Sequence, residues 1–274
     1  LSLALGKPFL AREHELFVTC SIGVALYPQD GADIEQINRC ADIALHQAKA
    51  RGDSFRFFTS DMNARVDAYL SLENMLRRAV EGEEFDLALQ PQVDIRTGRI
   101  CGAEALLRWR HPERGVIPTS QFIGLAEETG LIVPIGRWML QAACRAAASW
   151  PKDRAPERIA VNVSARQFRE SERLIRTVEE VLAETGLTPS LLELEVTESA
   201  LMEQPVEAIE TMRRLAAMGL TLAIDDFGTG YSSLAYLKQM PVKLLKIDGS
   251  FVRGLATQPE DRAIVKAVIA LARE

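Results

Sequence analysis

From about residue 85 onward, apolar runs typical of β-strands alternate with stretches that carry apolar residues at helical spacing. The strand-like runs lie at 85–95, 99–109, 158–164, 191–197, 220–226 and 243–248. From the second run onward, helical stretches lie between them, at 120–129, 134–149, 168–185 and 203–218. Strands that alternate with helices form a parallel sheet, open or closed into a barrel. We therefore predict an α/β fold whose functional side chains gather at the carboxyl ends of the strands.

The residues before this region follow a different pattern. The sequence predicts a strand at 17–28, a turn with Asp33 as helix N-cap, a helix at 34–51 that Gly52 ends, and a strand at 54–58. These elements are too few to close a core, so we interpret residues 1–59 as the end of a larger domain. A helix at 60–82 is expected to link this segment to the α/β domain at 83–274.

Composition excludes several classes of protein. The net charge is -6 without any block of Lys or Arg, which argues against DNA or RNA as a partner. The four cysteines form no CxxC pair, as expected for thiols in a reducing cytosol. No apolar run reaches the roughly 18 residues of a membrane span. We expect a cytoplasmic protein, tethered to a membrane only if the parent protein carries an anchor elsewhere.

Candidate ligands of a metal ion lie at or near the predicted strand ends. They are four carboxylates and one amide, namely Glu104, Asn162, Glu195, Asp225 and Asp226. Such oxygen-rich sets suit Mg²⁺ or Mn²⁺ better than zinc. Paired carboxylates flank two divalent ions about 3.5–4 Å apart in many sites that cleave phosphodiesters. The sequence therefore predicts a metal-dependent hydrolytic site.

Strand alternation decides which of these side chains can meet. In GAEALLRW, Glu104, Leu106 and Arg108 share one face of the strand, and the residues between them share the other. An internal ion pair between Glu104 and Arg108 is the structural alternative. For Asn162 in AVNVS, the alternative is a core amide that bonds the backbone.

The acidic runs have alternatives of their own. In ELEVTE, Glu193 and Glu195 are in phase and repel each other unless a cation or proton intervenes, at about 4 kcal/mol for a pair ~4 Å apart. Glu198 also fits a solvated helix N-terminus. In LAIDDFGTG, Asp225 and Asp226 reach one site only if the strand bends between them, whereas a helix N-cap explains only one of them.

Lys246 in LLKID is in phase with Leu244 and Asp248, so it is predicted to point inward. Such a lysine positions water, pairs with an acid, or forms a Schiff base. The last possibility would make the chain a lyase on a parallel barrel. The surrounding acids argue against it, because they hold the amine charged.

As a set, these segments resemble the EAL family, bacterial phosphodiesterases that act on cyclic di-GMP, over about residues 62–274. The resemblance implies a (β/α)8 TIM-like barrel and hydrolysis of cyclic di-GMP to linear pGpG. SIGVALYPQDGAD and ADIALHQAKARGDSFRFF resemble the closing strand and helix of a GGDEF domain, the diguanylate cyclase fold. The segment before the barrel would then be the α+β end of that domain, without its signature loop.

The resemblance also implies roles for single residues. Two ions, Mg²⁺ or Mn²⁺, would be held by the five candidate ligands. Lys246 would assist the attacking water, with Glu104 and Asp225 as its catalytic partners. Gln90, Leu106 and Arg108 would contact the dinucleotide. Glu198 would anchor the loop at 226–233, which couples the site to dimerisation in this family, so a homodimer through the EAL domain is expected.

Two departures from the family pattern bear on activity. Beyond Lys246, family members carry a further strand with a Glu and then an eighth strand with a Gln, and neither is present in this sequence. A smaller departure is Gly124 in place of the usual Pro, which puts no predicted ligand in doubt. We expect a chain truncated at both ends, with open sheet edges, that is inactive by itself. The alternative function is a non-catalytic module that binds cyclic di-GMP and relays the signal to a partner. Mg²⁺-dependent product formation distinguishes the two.

Overall fold

The first of two compact units, Leu1–Met75, contains in its described residues two short strand pairs, one whole helix and most of a second helix. The computed structural model describes residues 9–11, 14–16, 20–51, 55–82, 84–151, 156–230 and 234–273. In chain order the unit begins with β1 (Phe9–Ala11), β2 (His14–Leu16), β3 (Ile22–Val24), α1 (Ile34–Arg51) and β4 (Phe55–Phe57). β1 and β2 pair antiparallel, whereas β3 and β4 pair parallel.

Helix α1 confirms the sequence prediction, including its cap: the side chain of Asp33 accepts a hydrogen bond from Gln36 N at 2.8 Å. The strand predicted at 17–28 is shorter, because a turn follows β3 in which Asp30 accepts a hydrogen bond from Leu26 N at 2.6 Å. Residues 17–19 and Gly52 lie outside the described residues. A following helix, α2 (Ser60–Glu81), corresponds to the one predicted at 60–82.

The second unit, Leu76–Glu274, contains one seven-stranded sheet. Its strands are β5 (Phe85–Val93), β6 (Ile100–His111), β7 (Gly115–Ile117), β8 (Ile159–Val163), β9 (Leu192–Thr197), β10 (Thr221–Phe227) and β11 (Leu244–Ile247). The order across the sheet is β11-β10-β9-β8-β6-β5, and β7 pairs with β6. All six predicted strands are present and, from β6 onward, neighbours on this path are parallel.

The pair β5–β6 differs from the predicted parallel arrangement, because it is antiparallel. A turn at 94–99 connects the two strands, whereas a parallel connection needs a crossover of a dozen or more residues. Asp94 stabilises that turn by accepting hydrogen bonds from Arg96 N and Thr97 N, both at 2.9 Å. The register places Gln90 opposite Glu104.

Helices connect the strands of this unit, and several of them pack against the sheet. They are α3 (Thr119–Thr129), α4 (Ile132–Ala148), α5 (Ala165–Arg169), α6 (Ser171–Thr185), α7 (Glu198–Glu203), α8 (Pro205–Ala217), α9 (Leu234–Leu237), α10 (Gly249–Gly254) and α11 (Pro259–Arg273). Trp109 of β6 is fully buried and meets Phe122 of α3 edge to face, with ring centroids 5.1 Å apart. Ala105 and Leu107 are buried on the same face. Glu104, Leu106 and Arg108 are left on the other face, as the alternation predicted.

One predicted helix is broken into two: the stretch at 168–185 becomes α5 and α6, with Glu170 between them. The helix predicted at 203–218 is present as α8. It begins at Pro205, whose fixed φ and missing N–H favour the first turn of a helix. The short elements β7, α9 and α10 were missed, because three to six residues are too few to show a repeating hydrophobic pattern. Within the described residues, no helix has the length and apolarity needed to cross a membrane.

Gly136 of α4 has no room for a side chain. A Cβ there would lie 1.9 Å from Gln167 Nε2. That amide is fixed, because Gln167 Oε1 accepts hydrogen bonds from Ser164 N at 3.3 Å and Ser164 Oγ at 3.0 Å. We expect Gly136→Ala to lower the free energy of unfolding by about 1–3 kcal/mol. Urea denaturation measures the change.

Gly124 of α3 offers the matched control, because a Cβ at this position would have nothing within 4 Å. Gly124→Ala should raise the free energy of unfolding by about 0.5–1 kcal/mol, since alanine is the better helix former. Equal effects of the two substitutions would contradict the packing described for Gly136.

Burial raises the pKa of the Cys144 thiol to about 12. At pH 8 this leaves roughly one thiolate in ten thousand, so Cys144 should resist alkylation by iodoacetamide in the native protein. Half-buried Cys101 should be labelled before Cys144, and denaturation should expose Cys144. Mass spectrometry of timed digests checks the order, and equal native labelling of both thiols would contradict it.

Candidate active site

The ammonium of Lys246 lies among three carboxylates that come from three other strands. Its Nζ atom is 3.3 Å from Glu104 Oε2 and 3.2 Å from Asp225 Oδ2, and it hydrogen-bonds Glu195 Oε2. These side chains leave β6, β10 and β9, while Lys246 leaves β11. Neighbouring strands thus bring together residues that are far apart in the sequence. Asp225 and Lys246 lie in the carboxyl-terminal parts of their strands, as predicted, whereas Glu104 lies in the amino-terminal half of β6.

Asn162 joins this group from β8. Its Nδ2 atom donates a hydrogen bond to Glu104 Oε1 at 2.8 Å, and its backbone lies opposite Glu195 in the register. The side-chain amide of Asn162 therefore bonds a carboxylate of the pocket. This differs from the alternative considered above, in which the amide would bond backbone groups in the core. Four of the five predicted ligands, Glu104, Asn162, Glu195 and Asp225, therefore form one acidic pocket.

The fifth predicted ligand, Asp226, lies at the rim of this pocket. The bend predicted between the adjacent aspartates is present: Asp226 has φ +53°, and the pairing of β10 with β11 shifts register between Ile224 and Phe227. The side chain of Asp226 interacts with Asp248, the residue that caps α10, rather than with Lys246 by hydrogen bond. Asp226 thus faces the pocket from one side without joining its central cluster.

Burial sets the electrostatics of the pocket. Glu195 is 1% exposed, and this burial raises its pKa to about 7, although Lys246 acts to lower it. Burial alone would lower the pKa of Lys246, but its hydrogen bond with Glu195 and the three nearby carboxylates raise it above the ordinary value. The pKa of Asp226 is raised by burial, then by the charges of Asp225 and Asp248. The amine is therefore charged, which disfavours the Schiff-base alternative.

Glu193 is also fully buried on β9, one layer below Glu195. Its Oε2 atom is 2.9 Å from Arg158 Nε, although the two groups are not aligned as a hydrogen bond. Burial raises the pKa of Glu193, while Arg158 acts to lower it. Sequence reasoning missed Arg158. The sequence did hold a signal for it: Arg158 lies four residues before Asn162, so in a strand both side chains leave on the same face.

Glu198 holds the chain that follows Asp226. Its Oε2 atom accepts hydrogen bonds from Gly228 N at 2.8 Å and Gly230 N at 3.4 Å, and the residue is 1% exposed. This contact differs from the solvated helix terminus considered as the alternative. The loop predicted at 226–233 is described up to Gly230, and residues 231–233 lie outside the described residues.

The residues predicted to contact a nucleotide lie beside the acidic pocket. Gln90 is exposed opposite Glu104, and Leu106 and Arg108 are half-buried on the same strand face as Glu104. Arg108 Nη1 donates to Leu107 O at 2.8 Å. Over the described part of the chain no ion pair joins Arg108 to Glu104, which counts against the internal pair considered above.

The donor set suits a hard divalent cation. Carboxylate and amide oxygens converge, a cationic ammonium already lies at their centre, and buried Glu195 Oε1 has no hydrogen-bond donor among the described residues. No group of three or more acidic, His or Cys side chains in the described ranges is already spaced to hold a metal. Because the ammonium draws the carboxylates to itself, binding an ion would require these side chains to turn.

Comparison with known families agrees with this geometry. The model of the EAL domain matches residues 73–274, and the model described as diguanylate cyclase, GGDEF domain matches residues 3–54. The bifunctional diguanylate cyclase/cyclic di-GMP phosphodiesterase MucR of Pseudomonas aeruginosa is 45% identical over 98% of this chain and 39% of its own length. The cyclic di-GMP phosphodiesterase PdeR of Escherichia coli is 40% identical over 98% of this chain and 40% of its own length.

A solved structure, the PaMucR phosphodiesterase in complex with c-di-GMP, is 46% identical with a TM-score of 0.71. The match covers 74% of this chain and 82% of that one, and it confirms the predicted TIM-like barrel fold of EAL type. The chain spans about two fifths of the length of these curated relatives. With a GGDEF segment ahead of the sheet and an EAL-type unit around it, this chain belongs to the EAL domain family.

Proposed function

We propose that this chain carries a phosphodiesterase that hydrolyses cyclic di-GMP to linear pGpG. The observation that carries the proposal is the acidic pocket in which Lys246 Nζ lies 3.3 Å from Glu104 and 3.2 Å from Asp225. Relatives at 40–45% identity are named as phosphodiesterases of this dinucleotide. The same pocket would recognise the ring through its phosphates once cations offset the acids.

EAL phosphodiesterases are generally dependent on divalent metal ions. We propose that two ions, Mg²⁺ or Mn²⁺, are held by the predicted ligand set of Glu104, Asn162, Glu195, Asp225 and Asp226. Bound there, the ions would supply positive charge that offsets the acids and polarises the phosphodiester. Asp226, at the rim beside Asp248, fits this role through the bend at φ +53°.

Lys246 would orient the attacking water by donating a hydrogen bond. Its raised pKa keeps the amine protonated, so it cannot take the proton of that water. The water oxygen attacks phosphorus, and the bond from phosphorus to the ribose 3′-oxygen breaks. Carboxylates of the pocket, including Glu104 and Asp225, carry the water proton away, and the leaving 3′-oxygen gains a proton. One ring-opening hydrolysis thus yields pGpG.

Contacts to the dinucleotide are assigned to the sheet face beside the pocket. Gln90 lies across from Glu104, so it would contact a phosphate of the dinucleotide bound at the pocket, or the base next to that phosphate. Arg108 would pair with a phosphate, and Leu106 between them would pack against the nucleotide. Glu198, through its bonds to Gly228 N and Gly230 N, would hold the loop that in this family couples the site to a homodimer.

The proposal extends to the domain boundaries, the compartment and the type of ligand. We propose residues 1–59 as the GGDEF-type segment, 60–82 as the linking helix and 83–274 as the phosphodiesterase domain. The scattered free thiols support a cytoplasmic site of action. The net charge of -6 favours a small phosphate ligand over DNA or RNA.

The deciding experiment measures pGpG release from cyclic di-GMP by the full natural polypeptide that contains residues 1–274, with Mg²⁺, with Mn²⁺ and with chelator. We expect metal-dependent product. Tight binding without product in any metal would instead identify the non-catalytic binding module.

Removing one carboxylate of the acidic pocket should abolish turnover without unfolding the protein. We expect Glu104→Ala and Asp225→Asn each to lower kcat by at least about a hundredfold, because each removes a charge that the reaction centre uses. Circular dichroism and the melting temperature should stay near wild-type values. Glu203→Gln, at an exposed ion pair with Arg169, is the control and should keep full activity.

Removing the guanidinium of Arg108 should weaken binding of the dinucleotide. A charge-assisted phosphate contact is worth about 1.5–3 kcal/mol, so Arg108→Ala should raise Kd roughly ten- to hundredfold. Calorimetry in Ca²⁺ would report binding without turnover. Arg214→Ala, which removes an exposed partner of Glu172, should leave Kd unchanged. An unaltered Kd for Arg108→Ala would remove this residue from the binding surface.

A further inference from the structure

A second charged layer lies beneath the acidic pocket, on the same face of the same strands. Glu193 precedes Glu195 by two residues on β9, so both side chains leave the strand in the same direction. In the register, Ala160 lies opposite Glu193, and Glu104 lies opposite Ala160. The small side chain of Ala160 therefore lies between the Glu193 carboxylate of β9 and the Glu104 carboxylate of β6.

Small residues leave room for a long side chain to reach Glu193. Arg158 lies two residues before Ala160, and its side chain passes over Gly102 of β6. A Cβ on Gly102 would lie 3.0 Å from Arg158 Cγ and 2.6 Å from Gln92 Oε1. A side chain at position 102 would therefore crowd the aliphatic part of Arg158 and the end of Gln92.

Four charged side chains lie in a line from this lower layer to the pocket. Arg158 Nε is 2.9 Å from Glu193 Oε2, the Glu193 side chain lies within hydrogen-bonding reach of Glu195, and Glu195 Oε2 bonds Lys246. A cation therefore stands at each end and two acids stand between them. Each acid faces its own cation.

Without Glu193, the Glu195 carboxylate could pair with either of two cations, Lys246 or Arg158. The Glu195 side chain is completely buried, and its Oε1 atom has no donor among the described residues. A largely buried guanidinium without a carboxylate is unfavourable and will take any acceptor that can reach it. Glu193 pairs with Arg158. The negative charge of Glu193 also repels the Glu195 carboxylate, which opposes a turn of Glu195 toward the lower layer.

We propose that Glu193 is a positioning residue: by engaging Arg158 it keeps the Glu195 carboxylate directed into the acidic pocket. The inference deepens the proposed function, since it concerns the same metal-holding pocket and rests on it. Glu193 itself touches neither metal nor substrate. Its effect is exerted through Glu195 alone, and Arg158 matters only as the competing cation.

The test begins with Glu193→Gln, which keeps the side-chain shape and removes the charge. Arg158 then draws Glu195 out of the pocket. We expect the affinity for Mg²⁺, titrated by calorimetry without nucleotide, to fall about tenfold or more, as for other residues that orient metal ligands. The kcat for cyclic di-GMP should fall by a similar factor while KM stays within about twofold.

The double variant Arg158→Met/Glu193→Gln separates positioning from simple loss of structure. Without the competing cation, Glu195 again faces Lys246, so Mg²⁺ affinity and kcat should return to within about threefold of wild type. Arg158→Met alone leaves Glu193 buried without its cation, so this single variant is not required to fold. The double variant tests the positioning role by itself. The exposed pair Arg169–Glu203, 2.6 Å apart, gives the matched control Arg169→Met/Glu203→Gln, which should change neither quantity.

The two proposals fail in different ways. A wild-type protein that binds Mg²⁺ but releases no pGpG would overturn the proposed function and leave the calorimetric comparison in force. Wild-type Mg²⁺ affinity in Glu193→Gln would overturn the positioning role. So would a double variant as weak as Glu193→Gln, because a purely structural contribution predicts no recovery.

Discussion

The contact on which the rest of the candidate site depends is the ammonium of Lys246 among Glu104, Glu195 and Asp225. Three carboxylates held this close would repel one another by about 4 kcal/mol per pair at ~4 Å. The sheet can hold them together because a cation completes the cluster. The same arrangement explains why the pocket suits phosphate chemistry: its acids are already organised around positive charge, and the amine among them cannot lose its proton near neutral pH.

Much of this arrangement was predictable from strand periodicity and strand direction. Alternation placed Glu104 and Arg108 on the face opposite Trp109, and the burial of Trp109 agrees. The rule that parallel strands present their carboxyl ends together then joined Asp225 to Lys246. The bend at Asp226 was predicted as the only way for two adjacent acids to reach one site; the bend is present, but Asp226 lies at the rim beside Asp248.

The remainder depended on contacts that no local pattern encodes. The hydrogen bond from Asn162 to Glu104 and the ion pair of Arg158 with Glu193 join strands by side-chain reach, which periodicity does not measure. The contact of Asp226 with Asp248 is a further example, since the predicted bend does not specify the direction of the side chain.

The antiparallel hairpin β5–β6 has a consequence for the order in which the site assembles. It places Gln90 beside Glu104 through a short turn, whereas Lys246 reaches Glu104 across 142 residues of chain. Closing a short loop costs less entropy than closing a long one. The half of the pocket that would meet a nucleotide can therefore form early in folding, and the lysine that balances its charge arrives last.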